Sequence, residues 1–239
     1  MPNPGPPVRQ LPILNRLLEA LPRNSRDRLL KECELVSLVL DTVLCERDKS
    51  HRHVYFPLGG SISLVATVGA HPPLEIALIG NEGMLGATLV LGVDKARLRG
   101  VVQGAGTAWR MRAPRFRRAM RDIPALSAVI NRYLFVVIAQ LSQSTACTRF
   151  HDVEARLARW LLMTHDRAHA DRFHLTHLFL ADMLGVRRSA VTIAAGALQR
   201  RNLIRYARGA IDVVDRKGLE AASCECYQNL IGDYQRMFD

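Results

Sequence analysis

Between Met183 and Ile211 the chain has no acidic residue, although six arginines fall in that stretch. A segment of one sign repels itself unless it is solvated or faces phosphates. Acid is short throughout: 22 Asp and Glu stand against 33 Lys and Arg, a net charge of +11. That excess fits a polyanion partner but does not by itself separate DNA from RNA or from an acidic membrane surface. Aromatic residues make up only 6%, few for the stacking platforms of RNA-binding sheets, so RNA ranks last. The longest candidate apolar run, Tyr133 to Ala139, falls far short of the ~20 residues that span a bilayer. Pro2, Pro4, Pro6 and Pro7 stand where a secretory signal would need an apolar core. The expectation is a cytoplasmic protein without a membrane partner. No Gly-rich phosphate loop, G-x-S-x-G elbow or H-E-x-x-H occurs, so no catalytic residues are expected. The five cysteines are odd in number and scattered, which predicts reduced thiols and no disulfide framework.

Residues 176–204 read as two short helices around a glycine turn. Thr176 suits an N-cap, Leu178, Leu180, Ala181 and Leu184 keep helical spacing, and Gly185 stops the helix. Val191, Ala194, Ala195 and Leu198 repeat the spacing, leaving Arg187, Arg188, Ser189 and Thr192 at the start of the opposite face. This is a helix-turn-helix pattern, whose second helix places its first turn against base edges in the major groove. Arg200, Arg201 and Arg208 follow. A turn at Arg208-Gly209 between 203–206 and 211–214 predicts the hairpin wing of a winged helix. The DNA-contacting set expected is Thr176, Arg187, Arg188, Ser189, Thr192, Arg200, Arg201 and Arg208.

The chain divides by pattern. Residues 11–34 read as an amphipathic helical lead-in. From Leu35 to Met111 the texture becomes short β-rich runs (35–44, 54–57, 61–68, 74–79 and 101–111), as in a sandwich or barrel. Pro124 opens a long helix to about residue 148, whose seam of Leu126, Ile130, Tyr133, Val137 and Leu141 suits packing on its own domain or on a twin. A second helix follows over about 151–168. The expected fold class is α+β, with boundaries at 1–123 for a sensor roll, 124–148 for a dimerisation helix and 149–239 for the DNA reader. A second basic run, Lys95 to Arg121, has nine cations and no acid; it suits either DNA phosphates or a solvated surface.

The order of parts, with YFPLGGSISL at 55–64, GNEGMLG at 80–86 and the helix-turn-helix at 175–204, resembles the Crp/Fnr family of bacterial transcription regulators. The resemblance covers about residues 11–219. It implies an N-terminal jelly-roll-like antiparallel β-roll of the cyclic-nucleotide-binding type, a dimerising helix and a winged helix-turn-helix. It further implies a homodimer on a pseudo-palindromic site in double-stranded DNA, with RNA polymerase as an expected partner. The competing reading is a non-catalytic ligand, metal or redox sensor whose main partner is a protein.

The departures bear on the effector, which stays unknown. Where cyclic-nucleotide-binding members hold the ribose with Gly-Glu, this chain has Gly86-Ala87, and its phosphate segment offers Arg97 without the adjacent serine. Gly86, Ala87 and Arg97 are therefore candidates for a remodelled pocket, and cyclic AMP is not expected. Cys33 and Cys45 alone occupy the first hundred residues, too few for an Fnr-type iron-sulfur cluster. Haem would need an axial ligand, and His51, His53 and His71 read better as a solvated loop. His165, His169, His174 and His177 read as a solvated linker rather than a zinc site. Cys224 and Cys226 form a C-x-C with no partner pair evident in the sequence, so no metal ligand is assigned.

Overall fold

The structure is a computed structural model and describes residues 15–168, 171–207 and 209–238. Two short helices, α1 (Arg16–Glu19) and α2 (Arg23–Leu30), precede the sheet. The helical lead-in expected over 11–34 is these two helices, divided where Pro22 blocks a helical hydrogen bond and serves as the N-cap of α2; residues 11–14 lie outside the described residues. Strands β1 (Glu34–Leu38), β2 (Val43–Cys45), β3 (His53–Ala66), β4 (Leu74–Ile79) and β5 (Arg99–Arg112) form an antiparallel sheet in the order β1-β5-β3-β4, with β2 also on β5.

Three of the expected runs differ. The run 35–44 is two strands separated by a turn with Asp41 at φ 63°. The runs 54–57 and 61–68 are parts of one 14-residue strand. The register of β3 against β5 shifts three times between Pro57 and Ile62, the signature of bulges that bend a strand. Gly60 sits there at φ 79°, and a Cβ on it would meet the Ala105 carbonyl oxygen at 2.7 Å. Only glycine lets the two long strands cross this closely. The bend rolls the sheet around Leu38, Tyr55, Ile62, Ile79, Leu85, Val102 and Ala108.

After β5 comes α3 (Ala113–Asp122), which the sequence reading left unassigned, and then α4 (Pro124–Phe150). Helix α4 has the length and apolar composition of a membrane span. Its buried side chains Leu126, Val129, Ile130, Tyr133 and Val136, however, belong to the main core with Phe56, Met84, Met111 and Phe116, as a core helix requires. Helix α5 (Val153–Ala168) begins where Asp152 Oδ1 accepts the Ala155 N–H at 2.8 Å.

The C-terminal part comprises β6 (Arg172–His174), α6 (His177–Leu184), α7 (Arg188–Arg200), β7 (Ile204–Ala207), β8 (Ala210–Val213), α8 (Arg216–Ala222) and α9 (Cys226–Phe238). Its strands order as β6-β8-β7. It docks on the roll through polar links from α5. Trp160 Nε1 donates to Glu75 Oε1 at 2.8 Å, Ser63 donates to the other oxygen of that carboxylate, and Arg167 pairs with Glu82. Burial pushes the Glu75 carboxyl above its ordinary range against those two hydrogen bonds.

Candidate DNA-binding surface

Helix α6 starts at Thr176, whose Oγ1 accepts the Phe179 N–H at 3.1 Å, and stops at Gly185, which takes φ 65° in the left-handed region. Thr176 is therefore occupied as an N-cap. Helix α7 opens at Arg187 with no side-chain cap, so its first N–H groups face outward with the positive end of the helix dipole. Val191, Ala194, Ala195 and Leu198 are buried against the rest of the unit, while Arg187, Arg188, Ser189, Thr192 and Ile193 are exposed. The two helical faces fall where the spacing placed them. Strands β7 and β8 pair from Ile204↔Val213 to Ala207↔Ala210, and Gly209, in the turn between them, has φ 80°. That hairpin is the wing. Arg208 lies outside the described residues.

The hydroxyl of Thr192 is already committed. It donates to the Arg188 carbonyl at 3.1 Å and lies 3.0 Å from His177 Nδ1, which donates to it. The His177 ring stacks on Tyr206 at 4.1 Å between centroids, and this ties the start of α6 to the wing. Burial, with Arg188 nearby, holds the His177 pKa below its usual value. The hydroxyl of Thr192 is thus held within the protein, on a residue that is itself exposed.

The two basic segments differ in how their charge is met. In the run Lys95–Arg121, Arg97 pairs with Asp48 at 3.2 Å, Arg99 with Glu46 at 3.4 Å, Arg110 with Glu34 at 2.8 Å and Arg115 with Glu32 at 3.0 Å; Arg117 meets Asp94. Five of the nine cations of that run are thus ion-paired, while Lys95, Arg112, Arg118 and Arg121 are exposed and enter no ion pair among the described residues. On the helix-turn-helix, Arg201 turns back to Glu154 of α5 at 3.0 Å, so it braces the unit instead of projecting with the others. Among the described residues, Arg187, Arg188, Arg200 and Arg205 enter no ion pair, and all four are exposed. Among the described residues each segment thus keeps four exposed cations without an ion pair, and those of the helix-turn-helix stand at the two ends of α7 and on β7.

The pocket candidates Gly86, Ala87 and Arg97 do line one cavity, of about 120 Å³, together with His51, Met84, Leu85, Thr88, Tyr133 and Leu134. It is small beside the ~300 Å³ at which ligand clefts begin, and no carboxylate lines it. Arg97 pairs outside with Asp48. His51 is buried rather than part of a solvated loop, its Nδ1 lacks a partner, and burial lowers its pKa. Thr88 Oγ1, on the same cavity wall, is also unpartnered. A larger cleft of about 650 Å³ lies between the 80–83 turn and α5, α8 and α9; its Arg167–Glu82 and Arg216–Asp166 pairs satisfy one another.

Of the seam on α4, Leu126, Ile130 and Tyr133 are buried within the chain itself, and Val137 and Leu141 are half-buried. Leu126, Ile130 and Tyr133 hold the helix to its own roll, the first of the two packings that the spacing allowed. Of the large apolar side chains that α4 turns outward, Phe135 and Ile138, 69% and 62% exposed, lie on the opposite stripe, and Phe150, 76% exposed, stands at its C-terminal end. The histidines also separate: His165 Nε2 donates to Asp171 and its Nδ1 accepts from Arg216, both at 2.7 Å, while His177 stacks on Tyr206. His169 lies outside the described residues. The cysteines do the reverse. Cys147 at the end of α4 comes to 3.6 Å from Cys224, so the C-x-C has a partner that a separation of 77 residues hid.

Residues 155–222 match the family model of the Crp-like helix-turn-helix domain. Solved structures share the fold over most of the chain. FixK2 from Bradyrhizobium japonicum superposes with a TM-score of 0.67 at 14% identity, covering 80% of this chain and 98% of its own. The global regulator CLP of Xanthomonas campestris, described as responsive to c-di-GMP, gives 0.65 at 15% identity, with 80% and 99% covered. TTHA1359, a CRP/FNR-family transcriptional regulator of Thermus thermophilus, gives 0.62 at 21% identity, with 82% and 98% covered. No curated protein sequence matches the chain.

Proposed function

We propose that this chain, a Crp/Fnr-type protein by its Crp-like helix-turn-helix domain and its overall fold, is a sequence-specific DNA-binding transcription regulator acting as a homodimer on a pseudo-palindromic site. The observation that carries the reading is the exposed arginine face of α7 and β7, where Arg187, Arg188, Arg200 and Arg205 enter no ion pair among the described residues and flank the outward first turn of a helix-turn-helix. Arg187 and Arg188 at the first turn of α7 suit bidentate pairing with guanine O6 and N7. The Thr192 methyl suits a thymine methyl, and Ser189, Arg200 and Arg208 suit phosphates. Thr176 holds the entry of α6. Residues 1–123 serve as the sensor roll, 124–148 as the dimerisation helix and 149–239 as the reader.

Two-fold pairing through the outer stripe of α4 around Phe135 and Ile138 sets the recognition helices about 34 Å apart, one duplex turn. No carboxylate lines the roll cavity to hold a ribose, and Arg97 pairs with Asp48, so the effector in this reading is a ligand other than cyclic AMP or none. Control acts by shifting the population of dimers whose readers are correctly spaced. RNA polymerase is the partner through which a bound regulator of this type acts, and the compartment is the cytoplasm.

The test is selection from a pool of random duplexes with the ligand-free protein at two salt concentrations, followed by sequencing of the bound fraction. A two-fold symmetric motif with half-sites one turn apart is expected. Unselective binding that vanishes with salt at every added effector class would overturn the reading.

A further inference from the structure

Four potential metal ligands converge where α4 ends and the α8–α9 turn passes: Cys147, His151, Cys224 and Cys226, with their ligand atoms all within 4.8 Å of one another. All three cysteines are buried and His151 is half-buried. Cys147 Sγ lies 3.6 Å from Cys224 Sγ, and Cys226 Sγ lies 3.5 Å from His151 Nδ1. A tetrahedral zinc with Zn–S of ~2.3 Å and Zn–N of ~2.0 Å has edges of about 3.5 to 3.8 Å, so the spacing suits one ion bound by four protein ligands. A multi-iron cluster places its cysteines on different irons and needs a wider cage.

The surrounding groups are arranged as outer partners of a metal site. His151 Nε2 lies 3.2 Å from Glu225 Oε1. As the donor to that carboxylate, Nε2 keeps the proton and leaves the Nδ1 lone pair turned toward the cysteines, the carboxylate–histidine–metal relay. Gln143 Nε2 donates to Cys226 Sγ at 2.9 Å, which favours a thiolate there. Arg159 and Arg156 stand close enough to act electrostatically on Cys147. The Arg159 Nε is buried without a hydrogen-bond partner. Three thiolates with Zn²⁺ carry a net negative charge, which two arginines offset.

We propose that Cys147, His151, Cys224 and Cys226 bind a single structural zinc ion that clamps the C-terminal end of α4 to the α8–α9 turn. Binding displaces three protons: three thiols and a neutral imidazole take up Zn²⁺ as a tetrahedral thiolate–imidazole complex of charge −1, with no change in oxidation state. The four ligands come from two segments, C-x₃-H and C-x-C, 73 residues apart at their nearest ends (151 to 224). The clamp joins the helix assigned to dimerisation to the unit assigned to DNA reading. That consequence rests on the proposed function, but metal binding does not, and metal content is measured without DNA.

The experiment uses the full chain, purified without chelator. Elemental analysis should find one zinc per chain, and replacement by Co²⁺ should give the intense visible bands of a tetrahedral ion together with thiolate-to-metal charge transfer. Cys147→Ser and Cys224→Ser should each abolish the bands, His151→Cys should keep them with a shift toward a four-thiolate spectrum, and Cys33→Ser and Cys45→Ser should leave them unchanged. Because a serine variant can lose its fold along with its metal, the wild-type Co²⁺ spectrum decides first. A six-coordinate cobalt spectrum, wild-type protein free of zinc that takes up no Co²⁺, or a Cys147–Cys224 disulfide found by alkylation and mass spectrometry would overturn the proposal.

Discussion

Arg167 of α5 donates twice to one carboxylate oxygen of Glu82, from Nε at 2.8 Å and from Nη2 at 2.6 Å, and both side chains are buried. The same oxygen accepts the Gly80 N–H at 3.1 Å, and Arg167 Nη1 donates to the Met163 carbonyl at 2.9 Å. Glu82 belongs to the GNEGMLG turn at 80–86, so this turn, beyond shaping the roll, docks it on the helix that carries the reader. A Cβ at Gly80 would come within 2.6 Å of Glu82 Oε2, and one at Gly83 within 2.7 Å of Tyr133 Cζ. The glycines are needed for approach.

Breaking this pair from one side should be costly. Glu82→Ala leaves a buried guanidinium uncompensated, and the expected loss is about 3–5 kcal/mol in urea unfolding. The double change Glu82→Leu with Arg167→Met should recover much of that loss, because apolar replacement of both partners removes the desolvation penalty. Simple addition of the two single-variant losses would show that the pair is not coupled.

Arg188 sits at the first turn of α7, exposed and without an acidic partner among the described residues. Arg188→Ala should weaken binding to the selected site by about 1–3 kcal/mol with little change on random duplex. An equal loss on both would assign Arg188 to the phosphate backbone. Arg201→Ala should behave differently, since Arg201 braces Glu154; its effect should be in stability by under about 1 kcal/mol, as for an exposed pair.

Sequence reasoning reached the reader because its signals are local. The Thr176 cap, the Gly185 stop and the four buried positions of α7 all lie within one short segment. What it missed depends on long separations. The acids that neutralise Arg97, Arg99, Arg110 and Arg115 lie 49 to 83 residues away in the chain or on another strand, so the basic run could not be told from a phosphate track. Leu126, Ile130 and Tyr133 keep a helical spacing that is the same whether the face meets a roll or a twin. Cys147 and Cys224, 77 residues apart, meet only through the packing of α9 on α4. Helix α3, rich in arginine, shows an apolar stripe too thin to read, carried by Phe116.

Three histidines, His51, His53 and His177, have pKa values held below 6.5, in each case first by burial. For a base with a depressed folded pKa, the unfolded chain binds the proton first. Stability is therefore full above about pH 6.5 and falls as pH drops through that value toward the folded pKa, with a slope of at most about 1.4 kcal/mol per pH unit per group. Urea midpoints taken from pH 7.5 down to pH 5 should fall accordingly. His51→Leu, which removes the unpartnered Nδ1 from the roll cavity, should flatten part of that slope, and an unchanged slope would remove His51 from the account.

Helix α4 carries two apolar stripes with different fates. One is spent on the roll, through Leu126, Ile130 and Tyr133. The other holds Phe135 and Ile138, 69% and 62% exposed, on a helix whose apolar length exceeds what its own chain covers. Exposed large side chains three apart on one helix face are the pattern of a partner helix. Phe135→Asp combined with Ile138→Asp should therefore give a folded monomer: unchanged secondary structure by circular dichroism, half the mass in sedimentation equilibrium, and loss of binding to a two-fold site while a single half-site is still bound weakly. Ile130→Asp, by contrast, should unfold the roll, since it places a charge in the core. If the double variant sediments as the wild type does, the outward stripe of α4 is not the dimer contact.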